Sequence, residues 1–353
     1  MRLLITIIGF LAIVLSACSD STPTVETTLT PTASVVAISI ATGTLSPIIR
    51  PTPTQTPTQT PLPTETQTPT ETPSPTETQT PTIPSPVLFD GKSAYEILLV
   101  QMGFGPRWPG SPGHASVGDY IVDELGRQGW EVEEQGFDYM GLVGRNIIGR
   151  NNVGAGPVII IGAHYDTRKI ADKTAGSTEP VPGAVDGASG VAVLLELART
   201  LDFDEIDHDI WLAFFDVEDQ GSDGMPGFSY IVGSTYMAET LEVMPRAMVL
   251  VDMIGDADQQ LFYEGNSDLM LSFNLWRIAY ELGYGDTFIP EHRHTMLDDH
   301  LPFVNNGIPA VDIIDFDYPY WHTVEDTADK ASPDSLERVG RTLEEWLENR
   351  LSN

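Results

Sequence analysis

The stretch DIWLAFFDVEDQG, residues 209–221, is a run of apolar, strand-favouring residues that ends in two adjacent carboxylates and a glycine. A continuous apolar run of this length is typical of a strand buried on both faces, which requires helices on both sides of the sheet. Helical periodicity fills the segments between such runs. Further runs of the same kind are NIIGR, PVIIIGAHYD, AMVLVDMIG and IPAVDIIDFD. The order predicts one three-layer α/β domain with a mostly parallel central sheet flanked by helices, over residues 87–353.

The chain of 353 residues begins with segments of a different kind. Arg2 precedes a short apolar stretch ending in LSAC, which resembles a bacterial lipobox and predicts a lipoprotein-type signal peptide over residues 1–18. Residues 19–86 are rich in Pro and Thr and predict a disordered stalk, because few apolar residues are available for a core. In this interpretation Cys18, the single cysteine, carries a lipid, and the protein is exported and anchored to the outer face of a bacterial membrane or cell surface. An ordinary signal peptide or a short membrane anchor is the alternative.

The charge of the chain restricts its partners. It has 51 acidic residues against 18 Lys and Arg, a formal net charge of −33. A surface this negative repels phosphate backbones, so we expect no nucleic-acid partner. It suits a cationic group such as the free amine of a peptide, although a solvated acidic surface explains most of the charge equally well. We expect a monomer.

Side chains that can bind a metal follow the predicted strands, where ligands of open α/β sheets bind. Two imidazoles and three carboxylates suit zinc. Because successive strand residues point in opposite directions, we expect Asp219 to bind the metal and Glu218 to act as general acid and base. Asp166 is expected to orient the His164 ring, although such a pair alone is more often structural. The proposed ligands are His164, Asp186, Asp219, Asp252 and His322.

Several segments, taken together and in order, resemble a known family. They are GAHYDT, PGAVDGASGVAVLLELAR, FFDVEDQG, VDMIG, DDHLPFVNNGIPAVDII and YWHTVEDT. They are similar to the zinc exopeptidase family that contains bacterial leucyl aminopeptidases and glutaminyl-peptide cyclotransferases, over about residues 87–350. The resemblance implies two zinc ions bridged by Asp186 in the aminopeptidase branch. In the one-zinc cyclotransferase branch it implies a site made of Asp186, Asp219 and His322.

Three features favour the cyclotransferase branch: PGSPGH at residues 109–114, Asp298 in DDHLPF, and Trp321 in WHT. The resemblance implies that Asp298 hydrogen-bonds Glu218 and that Trp321 lines the substrate pocket. Asp252 is expected to help hold Glu218. Two positions depart from the family pattern, because Asp219 stands where many relatives have Glu and Asp312 where animal cyclotransferases have His.

The remaining candidates are expected to support the pocket or the surface. Phe228 is expected to replace a missing aromatic wall, and His300 to hydrogen-bond locally beside the pocket. His114 and His208 are expected at the surface or as helix caps, and His292 and His294 in a polar loop.

The sequence thus predicts a zinc-dependent enzyme acting on the N-termini of peptides or proteins. We favour a glutaminyl-peptide cyclotransferase, which converts N-terminal glutamine to pyroglutamate with loss of ammonia. The alternatives are a two-zinc aminopeptidase that hydrolyses the first peptide bond and a non-catalytic surface binding module.

Overall fold

The computed structural model describes residues 87–349, so the predicted signal peptide, Cys18 and the stalk lie outside the described residues. The helices are α1 (Gly91–Gly103), α2 (Pro112–Arg127), α3 (Ala188–Thr200), α4 (Gly221–Gly224), α5 (Val232–Thr240), α6 (Leu269–Glu281), α7 (Leu301–Asn305) and α8 (Pro333–Glu348). None of the helices within residues 87–349 has both the length and the apolar character needed to cross a membrane.

The strands form one large sheet and one small one. They are β1 (Glu131–Tyr139), β2 (Leu142–Asn151), β3 (Val158–His164), β4 (Asp209–Phe215), β5 (Ala247–Asp252), β6 (Leu261–Glu264), β7 (Phe288–His294) and β8 (Ala310–Ile314). The large sheet has the order β1-β2-β4-β3-β5-β8, and β6 pairs with β7. Strands β4, β3, β5 and β8 are parallel, whereas β1 and β2 are antiparallel to each other and β2 is antiparallel to β4. The predicted three-layer α/β architecture is confirmed, with an antiparallel hairpin added at one edge.

The central strands are mainly apolar because both faces of the sheet are covered. On β3, Ile159 and Ile161 belong to the large core cluster that includes residues of α1, α3 and α8. Ile160 points to the opposite face and packs in a second cluster with Met237 of α5 and Phe303 of α7. Successive side chains on a strand alternate between faces, so the positions of β3 before His164 are all apolar or small.

Helix α3 lies unusually close to the sheet. A Cβ atom added at Gly190 would approach the Val251 carbonyl oxygen at 2.6 Å and the Ala163 Cβ at 2.8 Å. Only glycine permits this approach, which brings the loop before α3 against the ends of β3 and β5. That loop carries Asp186.

The elements absent from the sequence prediction are polar or short. Strand β1 is largely exposed and shows no clear alternation of apolar residues, because it lies at the edge of the sheet. His292 and His294 were expected in a loop, but they lie in β7. The prediction was wrong because β7 is exposed at most positions, so its sequence lacks the apolar pattern of a buried strand.

One buried acid connects the small sheet to the segment before α7. Glu264 ends β6, and its carboxylate accepts hydrogen bonds from the backbone N–H groups of Met296 and Asn266, at 2.8 Å each. His300 Nε2 lies 3.1 Å from the same carboxylate. Burial raises the pKa of Glu264, but these hydrogen bonds outweigh it and lower the pKa from 4.5 to about 2.

We therefore expect Glu264→Gln to lower the free energy of unfolding by about 2 to 3 kcal/mol at pH 7. Because the folded-state pKa is depressed, this stabilisation is complete above about pH 5 and is lost as the pH falls through 4 toward 2. Urea unfolding at several pH values measures it, with Glu291→Gln on the exposed part of β7 as the control. A destabilisation that is the same at pH 7 and pH 3 would contradict this assignment.

Candidate metal centre and active site

The five predicted ligands meet at the carboxyl ends of the parallel strands. His164 ends β3 and Asp252 ends β5. Asp186 precedes α3, Asp219 follows β4, and His322 follows β8. They form two buried groups, His164–Asp186–Asp252 and Asp186–Asp219–His322, and within each group the ligand atoms lie within 4.8 Å of one another. Asp186 belongs to both groups, as expected of a bridging carboxylate.

Both imidazoles direct Nε2 into this cluster. His164 Nε2 lies 3.0 Å from Asp252 Oδ1 and 3.2 Å from Asp186 Oδ1. His322 Nε2 lies 2.9 Å from Asp219 Oδ1. The Nδ1 atoms point outward, to the Asp166 backbone oxygen at 3.1 Å for His164 and to Asp172 Oδ1 at 3.2 Å for His322. For His164, the Nδ1–H that donates to this carbonyl leaves the Nε2 lone pair free for a metal.

The donor set fits zinc. Asp186 Oδ2 and Asp219 Oδ2 are buried acceptors without a hydrogen-bond partner, and they are the carboxylate oxygens that a cation would satisfy. The site also attracts positive charge. Burial lowers the pKa of His322, but the charge of Asp219 outweighs it and the net shift is upward.

Asp166 has a different role from the one predicted. Its carboxylate does not orient His164, since His164 Nδ1 contacts the Asp166 backbone carbonyl instead. The carboxylate accepts hydrogen bonds from the backbone N–H of Glu218 at 2.9 Å and from Gln220 Nε2 at 3.0 Å. Asp166 lies beyond the end of β3, where its side chain turns toward the neighbouring loop and its unpaired N–H groups.

Because Asp166 holds the loop that carries Glu218 and Asp219, we expect Asp166→Asn to lower kcat/KM or zinc affinity by about 10- to 100-fold. The control is Asp209→Asn. Asp209 is a buried carboxylate at the opposite end of β4, and it accepts hydrogen bonds from Trp211 Nε1 and the Gly154 N–H. Zinc titration and steady-state kinetics should separate the two variants. Equal losses of activity in both would mean that Asp166 acts only through general stability.

The orientation of Glu218 and Asp219 arises from a turn and not from strand alternation. Strand β4 ends at Phe215, so both acids lie beyond it and the predicted reason for their divergence was wrong. Val217 has a φ of 57° and Ile231 a φ of 53°. For β-branched residues this conformation is strained by roughly 1–2 kcal/mol each. The backbone hydrogen bonds Ile231 N–H to Glu218 O and Val232 N–H to Val217 O hold both segments in place.

His114 and Asp216 form a support that the sequence reasoning missed. His114 was expected at the surface or as a cap, but it is buried. Its Nε2 lies 2.7 Å from Asp216 Oδ1, and its ring stacks on Tyr165. Asp216 also accepts hydrogen bonds from the N–H groups of Arg145 and Val217. The PGSPGH motif was the available signal, but its partner lies 102 residues away in sequence.

Glu218 is a buried carboxyl group at the edge of the metal-binding cluster. Burial raises its pKa well above the ordinary value, and the charges of Asp299, Asp219 and Asp298 act in the same direction against that of His164. A raised pKa lets a carboxyl group both accept and release a proton near neutral pH.

Asp298 raises the pKa of Glu218 through its charge, and it acts on the pKa of the buried Asp312 in the same direction. Asp312 in turn lies 3.7 Å from His300 Nδ1. His300 is fully buried, and its backbone carbonyl accepts the expected local hydrogen bonds, from the N–H groups of Phe303 and Val304. Its ring nitrogens lie near Glu264 and Asp312, which are distant in sequence.

A cavity of about 230 Å³ opens beside Glu218 and the cluster. Its apolar walls are Tyr230, Met296, Leu297, Ile314, Phe316 and Trp321. Trp321 lines the cavity as predicted, and its ring stacks on His322 at 3.9 Å between centroids. Phe228 does not line this cavity. It packs with Phe137 and Val217 in a separate small cluster, and Tyr230 provides the wall on that side.

The fold and the two ligand groups define a metal-dependent α/β enzyme. Residues 146–347 match peptidase family M28, and the chain belongs to this family. It is similar to a glutaminyl-peptide cyclotransferase of Gloydius blomhoffii, with 29% identity over 68% of this chain and 76% of the relative.

Two solved structures are similar over 74% of this chain and 99% of their own. A glutaminyl cyclase of Bacteroides thetaiotaomicron bound to N-acetylhistamine has 34% identity and a TM-score of 0.70. A Zn-dependent exopeptidase of Parabacteroides distasonis has 32% identity and a TM-score of 0.69. Both branches of the predicted resemblance are therefore represented among its relatives.

Proposed function

We propose that this protein is a glutaminyl-peptide cyclotransferase, which converts an N-terminal glutamine of peptides or proteins to pyroglutamate and releases ammonia. The observation that carries the proposal is a buried carboxyl group of raised pKa, Glu218, beside a small aromatic-walled cavity and a ligand group suited to zinc. A cavity of this size suits one side chain, and the reaction requires only one residue of the substrate to be enclosed.

Zinc would be held by Asp186, Asp219 and His322, and it supplies a Lewis acid for the side-chain amide carbonyl when bound. The carboxylate of Asp172 lies 3.2 Å from the outward-facing Nδ1 of His322, where its negative charge would raise the basicity of the ring. We propose one zinc ion in this group for the cyclisation reaction.

Glu218 would move the proton. It accepts a proton from the α-amine nitrogen as that nitrogen forms a bond to the side-chain amide carbon. It then donates the proton to the amide nitrogen as the carbon–nitrogen bond breaks and ammonia leaves. No water is consumed, so the apolar cavity walls and the Trp321 ring would assist by excluding it. Asp298 and Asp252 would help to position Glu218 and adjust its pKa.

The second candidate is a two-zinc aminopeptidase. The observation that favours it is the complete second ligand group, in which His164 and Asp252 join Asp186. Glu218 would then take the proton of a water molecule that attacks the first peptide bond. A non-catalytic binding module would not require Glu218 beside the ligand groups.

Product analysis separates these functions. The zinc-loaded domain is incubated with a Gln-initiated and a Leu-initiated peptide, and the products are identified by mass spectrometry. Cyclisation leaves the first peptide whole but without one ammonia, and leaves the second unchanged. Release of free Leu or free Gln would support the aminopeptidase, and two intact peptides would support the binding module.

We also propose that the mature protein is a monomer, exported and held at a bacterial membrane or cell surface by a lipid on Cys18. The LSAC segment and the Pro/Thr-rich composition of residues 19–86 support this localisation. Cys18→Ala should release the protein from the membrane fraction. Labelling of the Cys18→Ala protein with a fatty acid would contradict the anchor site.

A further inference from the structure

A second cavity, of about 560 Å³, lies between the edge strand β1 and helix α5. One wall consists of residues 136–139 of β1, and the other of Val232, Thr235, Tyr236 and Glu239 of α5. Tyr230 lines both this cavity and the active-site cavity, so the two adjoin at its ring. We call this second cavity the β1–α5 cleft.

The lining shows how the cleft is oriented. Gln135 and Phe137 point to the same face of β1 and contact α5, so the cleft lies over this face. Gly136 and Asp138 also line it, so it extends to the edge of the strand. The α5 residues recur at the spacing of a single helix stripe. A hydrogen bond of 3.1 Å from Gln135 Nε2 to Thr240 Oγ1 joins the two walls at the end away from Tyr230.

The edge of β1 is a surface on which an extended chain can pair. In the large sheet β1 is the terminal strand, and within residues 87–349 its only strand partner is β2. The backbone N–H and C=O groups on its other edge have no strand partner among these residues, the arrangement that accepts an added peptide strand.

The side chains of the cleft suit a particular kind of peptide. The rings of Phe137 and Tyr236 pack in a tilted arrangement with their centroids 5.3 Å apart and form an apolar floor. The charged side chains among the lining residues are Asp138 and Glu239, both acidic and both exposed. An extended peptide with apolar or aromatic and cationic side chains complements this surface.

We infer that the β1–α5 cleft binds the substrate segment that follows the N-terminal residue, as a strand added to β1, and that it favours Lys or Arg in that segment. This inference rests on the proposed function and defines its substrate class as extended, basic peptide or protein N-termini. The N-terminal residue occupies the active-site cavity, and the chain passes Tyr230 into the cleft.

The test compares kcat/KM for a Gln-initiated dipeptide amide, a Gln-initiated hexapeptide with Lys and Phe after the first residues, and the same hexapeptide with Glu in place of Lys. For the zinc-loaded wild type we expect the Lys hexapeptide to exceed the dipeptide by about tenfold or more, mainly through a lower KM. The Glu hexapeptide should lose most of this advantage.

Two variants locate the effect in the cleft. Glu239→Lys reverses an exposed charge and should reverse the preference, so that the Glu hexapeptide has the higher kcat/KM. The kcat/KM for the dipeptide should stay within about twofold of the wild-type value. Thr235→Trp fills the cleft and should remove the advantage of both hexapeptides. Glu291→Lys makes the same charge change on β7, outside the cleft lining, and should leave the relative kcat/KM values of the three peptides unaltered.

Failure of this inference can be distinguished from failure of the proposed function. If the dipeptide is cyclised as efficiently as both hexapeptides, the inference about the cleft is wrong but the proposed cyclisation stands. The inference is also wrong if Glu239→Lys and Glu291→Lys change the relative kcat/KM values of the peptides equally. If no Gln-initiated peptide loses ammonia, the proposed function fails and the inference fails with it.

Discussion

Glu218→Gln is expected to lower kcat/KM by about 10²- to 10⁴-fold while the protein still folds and binds zinc. The amide is almost the same size as the carboxyl group, but it cannot accept and return a proton. The backbone N–H of Glu218 keeps its hydrogen bond to Asp166 Oδ1, so the loop retains its support. Steady-state kinetics give the loss, and zinc content and circular dichroism show whether the site and fold persist.

The control for this variant is Gln220→Glu, the reverse exchange two residues along the same loop. Gln220 Nε2 donates to Asp166 and to the Thr167 carbonyl, so its replacement disturbs the loop without removing the proposed proton carrier. It should retain much more activity than Glu218→Gln. Near-normal turnover by the Glu218 variant would rule out this residue as the proton carrier.

Asp186→Ala is expected to cause the second large loss. This carboxylate belongs to both ligand groups, so its removal should abolish stoichiometric zinc binding and reduce activity by about three orders of magnitude or more. Zinc content after dialysis, measured by atomic emission, checks the first effect, and kinetics at saturating zinc check the second.

Asp252→Ala provides the comparison, because Asp252 belongs only to the group with His164. If catalysis depends on one zinc in the Asp186–Asp219–His322 group, this variant keeps one zinc ion. Retention of stoichiometric zinc by Asp186→Ala would contradict the shared-ligand assignment. Loss of all zinc from Asp252→Ala would contradict the assignment to one group.

The buried parts of the fold could be predicted because burial determines their sequence. Strands β3, β4, β5 and β8 are enclosed by helices on both faces and read as continuous apolar runs. Strands β1 and β7 could not be predicted in this way. Their side chains are mostly exposed, and pairing with a neighbouring strand is what keeps them extended.

The convergence of the candidate ligands could be predicted for a related reason. In a parallel sheet the strand ends meet at one edge, so residues far apart in sequence are brought together by topology alone. No such rule predicts the residues that hold the ligand-bearing loops in place. The Asp166 carboxylate and the His114–Asp216 pair depend on which free N–H group or side chain a loop presents, and this is determined by tertiary packing.

The conformation of the turn that carries Glu218 could not be predicted from the sequence either. Strand alternation predicted opposite directions for Glu218 and Asp219, but its geometry was wrong because the chain leaves β4 before reaching them. The left-handed backbone at Val217 cannot be expected from a β-branched residue. It becomes favourable only with the hydrogen bonds that the 231–233 segment and Asp216 provide.

Anomalous X-ray scattering from zinc-loaded crystals tests the central claim most directly, namely that Asp186, Asp219 and His322 share one metal ion. The predicted result is an anomalous peak at the zinc edge with oxygen and nitrogen ligands from these three residues at about 2.0–2.2 Å. Density that places the zinc elsewhere, or an Asp186–Asp219–His322 group without a peak in a protein that is otherwise active, would contradict it.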